Sequence, residues 1–117
     1  MSYEEIEKII DNPNYKKFVI ENDNEILAFM ILQITDEVNV FNIVTKSGFR
    51  NLGLATKLLS KAEEIAKVLG LNLSLEVSDK NLTAYVFYEK NGFVTRRVRK
   101  CYYKDKSNCI EMFKVVS

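Results

Sequence analysis

A change of hydrophobic period partway along the chain limits its folding more than any other feature. Three runs rich in Val, Ile and Phe come first, over residues 17–21, 26–34 and 38–45, parted by Asn22-Asp23-Asn24-Glu25 and Thr35-Asp36-Glu37. Such runs, broken by turn-forming residues, read as three strands of an antiparallel meander. The period then switches. Over 53–69 the apolar residues Leu54, Ala55, Leu58, Leu59, Ala62, Ile65, Ala66 and Leu69 line one helical face, and Gly70 follows as a left-handed terminator. Residues 72–77 then read as a strand, 82–90 as a short helix stopped by Asn91-Gly92, and 93–103 and 109–116 as two strands joined by a polar turn. At the front, Ile6, Ile9 and Ile10 among acids and lysine read as a short amphipathic helix over 3–10, ended by Asp11-Asn12-Pro13. The order is helix, three strands, helix, strand, helix, two strands. It places residues 1–117 in one α/β (α+β) domain built on a mixed, mostly antiparallel sheet flanked by helices.

Charge and residue usage then remove whole classes of function. Seventeen basic and sixteen acidic residues leave a net charge of +1, so no global surplus draws the chain to nucleic acid or to an anionic membrane. The longest apolar run, 26–32, is far shorter than the roughly 20 residues of a membrane span, and the opening lacks a basic signal-peptide region. A soluble, cytoplasmic protein is expected. There is no histidine, which excludes histidine-based triads, His-ligated zinc and a histidine base at one stroke. Cys101 and Cys109, eight apart, lack zinc-finger or haem spacing and read as two reduced thiols in strands, with no metal site. Any catalysis must rest on carboxylate, tyrosine, lysine and backbone amides.

The segment Thr45-Lys46-Ser47-Gly48-Phe49-Arg50-Asn51-Leu52-Gly53-Leu54-Ala55 leads from a strand into the longest helix. Helix starts favour Asp and Glu, because exposed amides there carry partial positive charge. Here Lys46, Arg50, Lys57 and Lys61 occur before Ala62 and no acid does. The free amides, with Gly53 and Ala55 removing bulk above them, are thus open to an external anion such as a diphosphate. The plainer reading is a basic first turn whose glycine serves a tight bend. A P-loop is excluded, as no Gly-Lys-Ser or Gly-Lys-Thr is present, and a dinucleotide turn is disfavoured by the missing third glycine and by the three strands in front.

Read as Arg50-x-x-Gly53-x-Ala55 between strand and helix, this turn resembles the signature of the GNAT acetyltransferases. Downstream stand Leu75-Glu76-Val77, Asn81, Ala84, Phe87-Tyr88-Glu89-Lys90-Asn91-Gly92-Phe93, Arg97, Arg99, Tyr102-Tyr103 and Met112. That succession is similar to the ribosomal-protein-alanine N-acetyltransferases of the RimI type, over about Tyr15 to Phe113. The resemblance implies the GNAT acyl-CoA N-acyltransferase fold, acetyl-CoA (coenzyme A) as acetyl donor, and a protein or peptide N-terminus as acceptor. Alternatives of the same fold are a small-amine or polyamine acetyltransferase, and a non-catalytic acyl-CoA-binding subunit. Members of the family usually begin with another strand and helix, and this chain is expected to lack them. Asn108-Cys109 stands where the family has Asp-Ala. The oligomeric state stays open between a monomer and a homodimer.

The resemblance also implies roles for residues. Residues Ile43, Val44 and Thr45 would present strand backbone to the pantetheine arm, and Arg50, Asn51, Leu52, Gly53, Leu54 and Ala55 would hold the diphosphate. Asn81 suits a helix N-cap by type and, by resemblance, hydrogen-bonds the same arm. In direct attack by an amine on the thioester, the amine must lose a proton and the leaving sulfur gains one. Glu76 interrupts an apolar strand, shares a face with Ser74, and is the candidate base; its alternative is a solvated or arginine-paired glutamate. Tyr88 is the candidate acid, against a packing role among Tyr85 and Phe87. Phe41, Asn42, Tyr102 and Tyr103 are candidates for acceptor contact, the two tyrosines pointing to opposite faces of a strand. The charges at Arg96, Arg97, Arg99 and Lys100 read as a solvated edge strand.

Overall fold

The computed structural model describes residues 4–8, 13–50 and 52–116, with the backbone alone for 4–8. Four strands open it: β1 (Glu4–Lys8), β2 (Tyr15–Asn22), β3 (Glu25–Ile34) and β4 (Val38–Thr45). Then come helix α1 (Leu54–Leu69), strand β5 (Leu73–Ser78), helix α2 (Leu82–Lys90), and strands β6 (Val94–Arg99) and β7 (Cys109–Lys114). Among the described residues they form one seven-stranded sheet in the order β1-β2-β3-β4-β5-β7-β6. Only the β4–β5 pair is parallel, so the sheet is mixed and mostly antiparallel, as the strand order leads one to expect. The β2–β3 hairpin turns on Asp23 and Asn24 at φ 52° and 65°. Those are residue types that tolerate the left-handed region a two-residue turn demands.

Alternation along the strands sends Phe18, Ile20, Ala28, Met30, Leu32, Val38, Val40, Leu73 and Leu75 into one core with Leu58, Leu59, Ala62 and Ala66 of α1. A fully buried leucine such as Leu58 contributes roughly 1.5–3 kcal/mol. Helix α1 ends as its sequence dictates: Gly70, at φ 70°, donates to Lys67, and the Leu71 amide reaches back to the Ala66 carbonyl. This double return closes the orphan carbonyls of the last turn. Among the described residues, no helix is long and apolar enough to cross a membrane.

Two expectations are corrected. Residues 4–8 form strand β1, not a helix, with Ile6 opposite Val19 and Lys8 opposite Lys17; Tyr3, Ile9, Ile10 and the Asp11-Asn12 stop lie outside the described residues. An isolated two-turn helix is marginal in water, whereas the edge of β2 offers a row of unpaired amides and carbonyls. The strand expected over 93–103 stops at Arg99. Cys101 adopts a left-handed φ of 53°, and its amide donates to Asn108 Oδ1 at 3.0 Å, which takes the backbone off the ladder. Cys101, Tyr102 and Tyr103 therefore sit in the β6–β7 loop, and of the two thiols only Cys109 is in a strand.

The parallel pairing of β4 with β5 is short. It runs from Val38–Leu73 to Val40–Leu75 and ends, although β4 continues to Thr45 and β5 to Ser78. Phe41 is an extra residue in the β3–β4 ladder, since Ile31 faces Asn42 and Leu32 faces Val40. A bulge bends its strand. Beyond it the two strands part, and the split opens in the middle of the sheet.

Candidate active site

A cleft of about 780 Å3 occupies this split, between β4, the start of α1 and α2. Its β4 wall is Ile43, Val44 and Thr45, which pair with β3 on one side only. Their other edge offers backbone amides and carbonyls to an extended guest. Arg50, Gly53, Leu54 and Ala55 form the next wall. Gly53 is the N-cap of α1 at φ 77°; no side chain caps the helix and no acid stands in its first turn. A Cβ at Gly53 would meet nothing within 4 Å, so the space above it is open. The first intrahelical bond reaches Gly53 O from Lys57 N at 3.0 Å, and the amides before Lys57 have no helical acceptor. An anion placed there meets those amides and the helix dipole together. Arg50 faces the same space. Two other cations of this stretch are engaged elsewhere, Lys46 with Glu25 and Lys61 with Glu64 at 3.9 Å.

Helix α2 supplies the far wall with Asn81, Thr83, Ala84, Phe87 and Tyr88. Asn81 is its N-cap, accepting the Ala84 amide at 3.2 Å through Oδ1. The Tyr88 ring lies edge-on to Phe87 and Phe93, with centroids 5.3 and 5.7 Å apart. Burial pushes its phenol above the ordinary tyrosine range, so it holds its proton at neutral pH. Packing residue and proton donor are thus compatible in one side chain.

Glu76 is not on this lining; it stands on β5 one residue past the last β4–β5 pair. Its carboxylate is exposed on the face shared with Ser74, which is 3% exposed and bonded by Asn39 Nδ2 at 3.1 Å. Cys109 Sγ donates to Glu76 Oε2 at 3.0 Å. Phe41, 59% exposed, and Asn42 flank the split from β4, Phe41 lying edge-on to Tyr15 at 5.6 Å. Tyr102 and Tyr103, in the loop, form an edge-to-face pair at 5.2 Å rather than pointing to opposite sides of a strand. Burial pushes the Tyr103 phenol above its ordinary range, and the nearby Cys109 side chain adds to that. The Arg96–Arg99 stretch is the expected exposed edge strand. Leu52 lies off the cleft lining, and Asn51 is outside the described residues.

Phe49, Thr56, Thr83, Ala84 and Phe87 also line the cleft; none was assigned to the site from the sequence, although Ala84 and Phe87 stand in the family-like succession. The spacing of Thr83, Ala84, Phe87 and Tyr88, at i, i+1, i+4 and i+5, is the helical signal that marks one face of α2.

Residues 1–93 match the profile of the Acetyltransferase (GNAT) family. The chain is 33% identical over 91 residues to the ribosomal protein bS18-alanine N-acetyltransferase of Escherichia coli (strain K12), covering 76% of this chain and 62% of that protein. The chain spans less than two thirds of the length of the curated relatives it matches. The crystal structure of the ribosomal-protein-S18-alanine N-acetyltransferase from Escherichia coli superposes with a TM-score of 0.82 at 29% identity, over 92% of this chain and 72% of that one. A structure from Bacillus anthracis str. Ames, described as a streptothricin acetyltransferase and solved in complex with acetyl coenzyme A, superposes with a TM-score of 0.81 at 26% identity, over 90% and 64% of the two chains.

Proposed function

The chain belongs to the acetyltransferase (GNAT) family, and from that premise we propose that it transfers acetyl from acetyl-CoA to a primary amine, the α-amino group of a protein N-terminus, foremost that of a ribosomal protein. One observation carries the reading: the acid-free, uncapped start of α1 opens into the split between β4 and β5, where Tyr88 stands. The amides of Leu54, Ala55 and Thr56, with Arg50, would hold the diphosphate. The free edge of Ile43–Thr45 and the Asn81 side chain would align the pantetheine arm. Acetyl-CoA supplies the activated thioester, and the chain's own residues do the rest. Glu76, one residue past the last β4–β5 pair, takes the proton of the incoming ammonium, directly or through a water. Tyr88 delivers its phenolic proton to the departing sulfur. An α-amino group, with a pKa near ~8 against ~10.4 for lysine, needs only modest help from such a base. Phe41, Asn42, Tyr102 and Tyr103 border the face from which the acceptor would arrive.

Released thiol, measured with acetyl-CoA and a panel of N-terminal peptides, lysine peptides and polyamines, tests the proposal. Turnover is expected with N-terminal peptides, reduced at least tenfold in Glu76→Gln and in Tyr88→Phe, with acetyl-CoA affinity retained, in line with the loss of one acid or base group. Turnover with polyamines alone would move the acceptor to small amines. Binding of acetyl-CoA without thiol release from any acceptor would reduce the chain to an acyl-CoA-binding module.

A further inference from the structure

We propose that Cys109 is a positioning residue for Glu76, its thiol holding the carboxylate in the orientation that receives the acceptor's proton. The inference rests on the reading of Glu76 as base. In the antiparallel β5–β7 register, Ser78 lies opposite Cys109 and Glu76 opposite Glu111. Glu76 and Cys109 are therefore diagonal neighbours on one face, within reach of a glutamate side chain. The contact is specific: Cys109 Sγ to Glu76 Oε2, 3.0 Å. Cys109 is wholly buried and anchored in the sheet, so it offers a fixed donor to a carboxylate that is itself exposed. An exposed glutamate on a strand otherwise spreads over several rotamers. Engaging Oε2 leaves Oε1 free to act. Burial holds the thiol above its ordinary range and the bond to Glu76 adds to that, which keeps the proton on sulfur at neutral pH.

The charged neighbours of Glu76 are mostly engaged by partners of their own. Glu111, directly opposite, is engaged by Arg97 Nε at 3.1 Å and Arg96 at 3.3 Å, which offsets the like charge across the ladder. Arg99 on β6 lies opposite Cys109, Tyr102 and Tyr103 stand on the loop, and Asp79 follows β5. Asp79 is itself occupied by Asn108, which donates to it from both its amide and its side chain. From β4, the neighbours past the split are Phe41 and Asn42, neither of which titrates.

The test compares Cys109→Ala and Cys109→Ser in kcat across pH, with an N-terminal peptide and acetyl-CoA. Losing the donor frees the carboxylate to spread over its rotamers, so Cys109→Ala is expected to lose about threefold to tenfold in kcat, the size of one weak hydrogen bond. KM for acetyl-CoA should stay unchanged, and Cys109→Ser should recover most of the loss. A second readout needs no turnover: in a Cys101→Ser background, the infrared S–H stretch of Cys109 should move to the position of a weakly bonded thiol when Glu76→Leu removes its acceptor. If Glu76→Gln turns over like the wild type, the base reading falls and the positioning role falls with it. If Glu76→Gln is slow but Cys109→Ala keeps the wild-type rate and pH profile, positioning alone is overturned. An equal loss in both Cys109 variants, or an S–H band indifferent to Glu76, would likewise leave Cys109 as packing.

Discussion

At Gly53 the chain adopts φ 77° at the mouth of the helix whose amides face the cleft. Any other L-residue there carries a Cβ penalty of about 1–2 kcal/mol, even though the space above the position is empty. Gly53→Ala is therefore expected to lower stability by about 1 kcal/mol, near 4 °C in Tm for a domain of this size. It should also weaken acetyl-CoA binding measurably, because the backbone can relieve the strain only by turning its amides away. A thermal melt and a calorimetric titration check both; unchanged affinity would separate this glycine from the anion site. The sequence marked Gly53 and Arg50 because their pattern is local. The candidacy of Glu76 and Tyr88 came from the resemblance, with Glu76 also standing out as the one charge in an apolar strand. Neither route could find the thiol under Glu76, since Cys109 is 33 residues away in sequence and meets it only across the β5–β7 ladder.

Helix α2 shows how one side chain can serve both an element and a site. Asn81 caps it through Oδ1 while standing on the cleft lining. Asn81→Ala is expected to cost about 1 kcal/mol of stability through the lost cap. Asn81→Asp keeps a capping oxygen but removes the amide donor, so it should hold its Tm while losing acetyl-CoA affinity. Chemical denaturation beside a binding titration reads the two roles separately, and equal affinity in Asn81→Asp and wild type would confine Asn81 to capping. Elsewhere, the meander and both helices after β4 were legible because their periods of 2 and 3.6 are written in adjacent residues. The two misread segments were those in which local pattern lost to pairing. Apolar spacing at the front fits a helix, yet the open edge of β2 takes residues 4–8 as a strand. Alternation continues past Arg99, yet Asn108 draws the backbone at Cys101 into a turn.

Across the whole sheet, the Arg96 guanidinium on edge strand β6 grips Glu37 in the β3–β4 turn at 2.7 and 2.9 Å, spanning β4, β5 and β7. The same guanidinium lies over the Phe113 ring, 5.2 Å from its centroid. Arg96 beside it holds the Glu37 carboxyl below the usual carboxylate range. Because the folded-state value is lowered, the stability this group contributes is fully present above the ordinary glutamate value of about 4.3 and is lost as pH falls through the lower folded one. Glu37→Gln should thus melt below the wild type at pH 7, with the gap closing as pH falls through the lowered folded value, beyond which both carry a neutral side chain. Equal gaps at both ends of that range would show the effect to be packing. The latch ties together the strands on either side of the split, so its loss should also raise the KM for the acceptor.

By itself the sequence determined the three-strand meander, the bounds of α1 and α2, the acid-free helix start and the ordered motifs that mark an acetyltransferase. The first three follow from neighbours a few residues apart, where periodicity, caps and turn chemistry act; the motifs were read by their resemblance to a family. Only the tertiary structure decided that β4 and β5 part after Val40 and Leu75, that a strand flanks β2, that the paired tyrosines ride on a loop, and that Cys109 sits under Glu76. Each depends on which strand edge meets which and where a bulge ends the pairing, and that is settled by long-range hydrogen bonding and burial rather than by any local run of residues.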